Sequence, residues 1–146
     1  MKRWAILKIV VVVLIISFVE KVNAQIVIGK PNLGFTQACA NDSFNTYNLT
    51  FAFSPVGNLN ASNQFIIELS DETGSFTNAE NIFSTAAGAI TSSPATLTFS
   101  LPTTVSGENY RVRVKSTAPS ATGSLSDAFP AYYKLQDSPF SINNLI

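Results

Sequence analysis

A chain without histidine has few ways to do acid–base chemistry near neutral pH, and this sequence of 146 residues has none. The lack removes the Ser-His-Asp and Cys-His nucleophile pairs, the HExxH zinc site and any imidazole general base at once. What remains is a set of carboxylates and one thiol. Asp71 and Glu72 are the adjacent acidic pair that glycoside hydrolysis would need. They stand in Asp71-Glu72-Thr73-Gly74, a hairpin-turn signature, so solvated turn residues are the expected role. Cys39 is the sole cysteine, cannot form an intramolecular disulfide, and has no sequence neighbour that would activate it. It is expected as a buried thiol behaving as a small apolar residue, or as half of a bridge to a following domain. Asp42, Asp71, Glu72 and Asp127 could offer calcium hard oxygen ligands, but their spacing makes no calcium loop. No metal or cofactor is therefore expected, and no catalytic residue.

Aromatic side chains are the other route to chemistry, through stacking. Phe129, Tyr132 and Tyr133 in Ala128-Phe129-Pro130-Ala131-Tyr132-Tyr133 could form a sugar platform, the basis of a carbohydrate-binding module. Trp4 is the only tryptophan and lies in the leader described below, which counts against that alternative.

These groups must be positioned by strands. Tyr47, Leu49, Phe51 and Phe53 alternate with polar or small residues, and Phe65-Ile67-Leu69, Leu97-Phe99-Leu101 and Tyr110-Val112-Val114 repeat the pattern. Glu68, Arg111, Arg113 and Lys115 fall on the opposite faces, so Glu68 is expected as an exposed cross-strand neighbour of Arg111 and Arg113. Phe51, Phe65, Phe99, Tyr110 and Val112 should share one core. Weaker strands are expected near Gln25–Ile28, Asn81–Ser84, Ala131–Leu135 and Pro139–Ile142. Ser54-Pro55-Val56-Gly57, Asp71 to Gly74, Leu101-Pro102 and Ser106-Gly107 punctuate the runs. Ala86 to Ile90 is alanine-rich, but Gly88 and Pro94 argue against a long helix. Apolar faces of this kind are covered by packing two sheets, which predicts an all-β, immunoglobulin-like or fibronectin type III-like β-sandwich of seven or eight strands. A turn through Gly107 followed by Tyr110 fits the tyrosine corner of such sandwiches, with the phenol bonded to nearby backbone.

Residues 1–24 have the layout of a signal peptide: Lys2 and Arg3, an apolar run from Ile9 to Val19, and Val22-Asn23-Ala24 as the cleavage site. The run is shorter than the roughly 20 apolar residues that span a bilayer. Cys39 lies well past Ala24, so neither a lipid nor a membrane anchor is expected in the mature chain. The expected division is a signal peptide over 1–24 and one sandwich domain over 25–146. From Gln25 onward, Lys30, Arg111, Arg113, Lys115 and Lys134 face Asp42, Glu68, Asp71, Glu72, Glu80, Glu108, Asp127 and Asp137. That acidic balance argues against nucleic acid as a partner. Serine and threonine are abundant over the same span and suggest a hydroxyl-rich, weakly charged surface.

The stretches ACANDSFNTYNLTFAFSP, ASNQFIIELSDETGSF, GENYRVRVKSTAPSATGS and AFPAYYKLQDSPFSIN resemble the opening immunoglobulin-like domain of large secreted surface proteins of Bacteroidota. Those proteins are associated with gliding motility and type IX secretion. The resemblance covers residues 30 to 144 and carries no catalytic or ligand motif. It implies a non-catalytic structural or binding module of an adhesion or motility-associated surface protein, whose partners would be further domains of a longer protein, surface proteins or glycans. A sorting domain would be expected beyond Ile146. The leader alone would give a periplasmic protein, so surface display is implied by the resemblance.

Overall fold

The computed structural model describes residues 25–135. The signal peptide expected over residues 1–24 and the strand expected at Pro139–Ile142 lie outside the described residues. The rest is all-β, with twelve strands among the described residues: β1 (Val27–Ile28), β2 (Asn32–Leu33), β3 (Ala38–Asn41), β4 (Tyr47–Phe51), β5 (Phe53–Ser54), β6 (Phe65–Leu69), β7 (Glu80–Ser84), β8 (Ala95–Phe99), β9 (Ser106–Tyr110), β10 (Val112–Thr117), β11 (Ser120–Thr122) and β12 (Phe129–Lys134). Ala86 to Ile90 forms turns, and the only helical feature described is the short 3-10 turn Val56–Asn58.

Two layers result. In one, β4 pairs antiparallel with β8 on one side and with β2 on the other, and β5, reached past Ala52, pairs with β1. In the other, β9 and β10 run on through Arg111 and join two ladders: β12 and β3 beside β9, β11 and β6 beside β10, with β7 outside β6. β3 and β12 are parallel, and every other pairing is antiparallel.

The alternation decides which side chains meet. β4, β8 and β10 bury every second residue, placing Leu49, Phe51, Leu97, Phe99, Val112 and Val114 between the layers. Phe65 of β6 sits with its ring centroid 5.0 Å from Phe51 and 4.9 Å from Phe53, both from the facing layer. Phe51, Phe65, Phe99, Tyr110 and Val112 belong to one buried cluster, as their register predicts. The Tyr110 hydroxyl accepts a 3.2 Å hydrogen bond from the Ser106 backbone N–H, so the phenol is tied to nearby main chain.

Three expectations need correction. Gly107 lies within β9 rather than in a turn, because it pairs with Ala131 of β12; a glycine is needed there since a Cβ would approach Glu72 Cβ to 2.6 Å. Glu68 pairs with Arg113 in register on β6 and β10, but it is buried instead of exposed. It accepts from Arg113 Nε at 2.6 Å and Lys115 Nζ at 3.0 Å, while the Arg113 guanidinium covers the Phe76 ring at 4.4 Å. Arg111 does not join them, since its guanidinium donates to the Ser126 carbonyl at 2.8 Å. Cys39 is exposed, because Ala38 and Ala40 take the inward positions of β3 and the thiol falls on the other face.

Candidate functional site

The carboxylates singled out in the sequence do not converge. Asp71 accepts from the Thr73 hydroxyl at 2.7 Å, the Ser75 N–H at 2.9 Å and the Thr73 N–H at 3.0 Å, which closes the β6–β7 hairpin. Those bonds, the Thr73 hydroxyl first, hold its carboxyl below the usual value. Gly74 completes the same turn with φ at +86°, a conformation that side chains resist. Asp127 forms a 2.7 Å ion pair with Lys30 and Asp42 accepts a 2.7 Å bond from the Tyr133 hydroxyl. Among the described residues no three His, Cys, Asp or Glu side chains gather where they could hold a metal ion.

The aromatic platform also comes apart. Phe129 is buried, with its ring 5.2 Å from and perpendicular to that of Phe35, so it belongs to the core and forms no exposed platform with Tyr132 and Tyr133. The reason is register: β12 turns Phe129 and Ala131 inward and Tyr132 outward. The Tyr132 hydroxyl donates to Glu108 and the Tyr133 hydroxyl to Asp42, and both bonds raise the phenol pKa values. Each tyrosine therefore serves a separate surface contact.

A different place gathers polar and aromatic groups. Between β2 and β3 the chain crosses from one layer to the other, and the sandwich opens along that edge. One opening, about 490 Å³, is walled by Pro31, Leu33, Phe35 and Phe129 with the Lys30–Asp127 pair at its margin. The other, about 400 Å³, is lined by Gln37 and Cys39 from the β3 side and by Thr46, Tyr47 and Asn48 from the β4 side, with Phe35 and Phe44 as aromatic walls. Tyr47 packs edge-on against Phe35 at 4.9 Å and Phe44 at 5.7 Å. Its hydroxyl is buried and makes no hydrogen bond of good geometry among the described residues, the Cys39 backbone interacting with it only weakly. Burial first, and the neighbouring Cys39 second, raise its pKa.

No family model and no curated protein matches this chain. The cleft contains no carboxylate, lysine or arginine, so it has no acid–base pair, and its means are stacking and neutral hydrogen bonds. Tyr47 was legible as an inward residue of its alternating strand, whereas the only sequence signal near Phe44 is Asn41-Asp42-Ser43, which matches a glycosylation sequon but folds as the tight turn that presents Phe44. Outside the cleft, the β4–β8 surface is neutral as well: Thr50 and Thr96 hydroxyls meet at 2.8 Å, and the Thr98 hydroxyl donates to Asn48 at 2.7 Å.

Proposed function

We propose that the chain is a non-catalytic structural or binding module of an exported, cell-surface adhesion or gliding-motility-associated protein, in which an immunoglobulin-like or fibronectin type III-like sandwich spaces or presents further domains. The observation that supports it is the use made of the reactive side chains. Asp71 closes a hairpin, Glu68 neutralises two cations, and Asp42, Glu108 and Asp127 anchor surface contacts. Such groups hold a scaffold together. The parallel β3–β12 pair, the antiparallel β9–β12 and β6–β10 pairs and the bonded Tyr110 hydroxyl support the finer fold assignment. Charged Lys2 and Arg3, the apolar run and Val22-Asn23-Ala24 support export.

Activity screens of the purified protein against glycosides, esters and peptides should remain at background. Turnover abolished by Asp71→Asn or Glu72→Gln would overturn the reading. N-terminal mass spectrometry of exported protein should find Gln25 first, and Met1 retained in that material would rule out cleavage.

A further inference from the structure

Phe44 is 55% exposed, yet its position is closely fixed. The Asn41 side-chain oxygen accepts from the backbone N–H groups of Ser43 at 2.8 Å and Phe44 at 2.9 Å. Asn41 and Phe44 also exchange two backbone bonds of 2.8 and 3.2 Å. This turn therefore presents a phenyl ring to water, where the hydrophobic effect opposes it. A rigidly displayed aromatic side chain loses little freedom on meeting a ligand.

Beside that ring lie neutral groups with unused bonding capacity. Gln37 and Thr46 are exposed and make no side-chain hydrogen bond among the described residues, and the Asn48 amide nitrogen is likewise unengaged. Tyr47, whose buried hydroxyl makes no hydrogen bond of good geometry, lines the same cleft. We propose that this cleft binds a neutral sugar ring, its C–H face on Phe44 and its hydroxyls bonded to Gln37, Thr46 and Asn48.

The ligand class follows from the lining. Sugar hydroxyls both donate and accept, and carboxamides and a threonine hydroxyl answer both needs. A purely apolar ligand would cover those groups without pairing them, and a charged one would lose water without meeting a counter-charge. The volume of about 400 Å³ suits a small molecule and falls within the roughly 300–1,000 Å³ of ligand pockets. Cys39 serves as a wall and undergoes no covalent step. This inference goes beyond the spacing role above and does not depend on it.

The test is a titration of the purified full-length chain, labelled with nitrogen-15, with methyl glycosides of glucose, mannose, galactose and N-acetylglucosamine, and with glucuronate as a charged control. At least one neutral glycoside should give saturable amide shifts centred on Gln37, Phe44, Thr46 and Asn48, and glucuronate should give none there. Phe44→Ala should weaken binding by about tenfold or more, Phe44→Tyr should retain it, and Tyr132→Ala should leave it unchanged. If Phe44→Ala does not fold, Gln37→Ala at the exposed rim takes its place, with weakened binding expected. Shifts centred on Tyr132 and Tyr133, stronger binding of glucuronate, undiminished affinity in a folded Phe44→Ala or in Gln37→Ala, or no saturable shift with any neutral glycoside would overturn the proposal.

Discussion

Phe65→Ala would remove the ring through which β6 holds the facing layer. Phe65 is buried and lies against Phe51 and Phe53 at centroid separations of 5.0 and 4.9 Å. Each such aromatic contact contributes about 0.5–1.5 kcal/mol beyond area burial. The whole substitution, with lost burial and the cavity left behind, should cost about 3–5 kcal/mol. Since small domains have only about 5–15 kcal/mol in total, a large share of the stability would go. Urea unfolding followed by far-UV circular dichroism measures this directly. With a loss of about 4 kcal/mol and an m-value near ~2 kcal/mol/M, the midpoint should fall by roughly 2 M. Thr96→Ala, which removes only the exposed Thr50–Thr96 hydroxyl contact, should stay within about 0.5 kcal/mol of the parent. A Phe65→Ala midpoint shifted by less than about 0.5 M at unchanged m would mean that β6 does not pack on β4 and β5 as described.

Glu68 gives a pH-dependent prediction. Burial pushes its carboxyl upward, but the hydrogen bonds and charges of Arg113 and Lys115 together outweigh that and hold it below the ordinary 4.5. A depressed carboxyl stabilises the fold above its unfolded value, and that contribution disappears as pH falls through the lower folded value. Glu68→Gln should thus lower stability at pH 7 and flatten part of the acid limb below about pH 4.5; an undiminished acid limb in thermal melts would assign it to other carboxylates. Asn63→Ala should cost about 1–3 kcal/mol, because the buried Asn63 oxygen accepts from the Ser116 hydroxyl and the Thr117 and Ala118 N–H groups at 2.6, 3.1 and 2.8 Å. Hydrogen exchange should quicken at Ala118, whereas the Thr117 N–H also donates to the Gln64 carbonyl at 3.1 Å; unchanged protection at Ala118 would contradict this role.

The core was legible because its strands alternate strongly: Tyr47 to Phe51 and Tyr110 to Val114 carry large apolar residues at every second position, and period two fixes their faces. β2, β3 and β11 were not, since Asn32-Leu33, Ala38 to Asn41 and Ser120 to Thr122 are short and small or polar, and they become strands only through distant partners. Cys39 shows the same weakness. In Ala-Cys-Ala-Asn either face could be inward, and β12, more than ninety residues later in the chain, settles it. Glu68 looked solvated because a charged residue on an outward strand position is normally wet, and nothing in its own strand shows that Arg113 and Lys115 would both close on its carboxylate. The cleft was hidden for a related reason: Gln37, Phe44 and Asn48 are ordinary loop and strand residues until the crossover between layers brings them together.

The parallel pair β3–β12 has a mechanical consequence. Its register runs from Ala38 opposite Ala131 to Asn41 opposite Lys134. A pull on the chain ahead of β3 and on the chain after β12 therefore acts at opposite ends of the pair. The strands must slide along each other, so the load falls on all their backbone bonds at once and not on one bond after another. Reversing one strand would let the same pull unzip the ladder from an end. The β3–β12 edge of the sandwich is thus built to resist shear, a property that suits the spacing role proposed above.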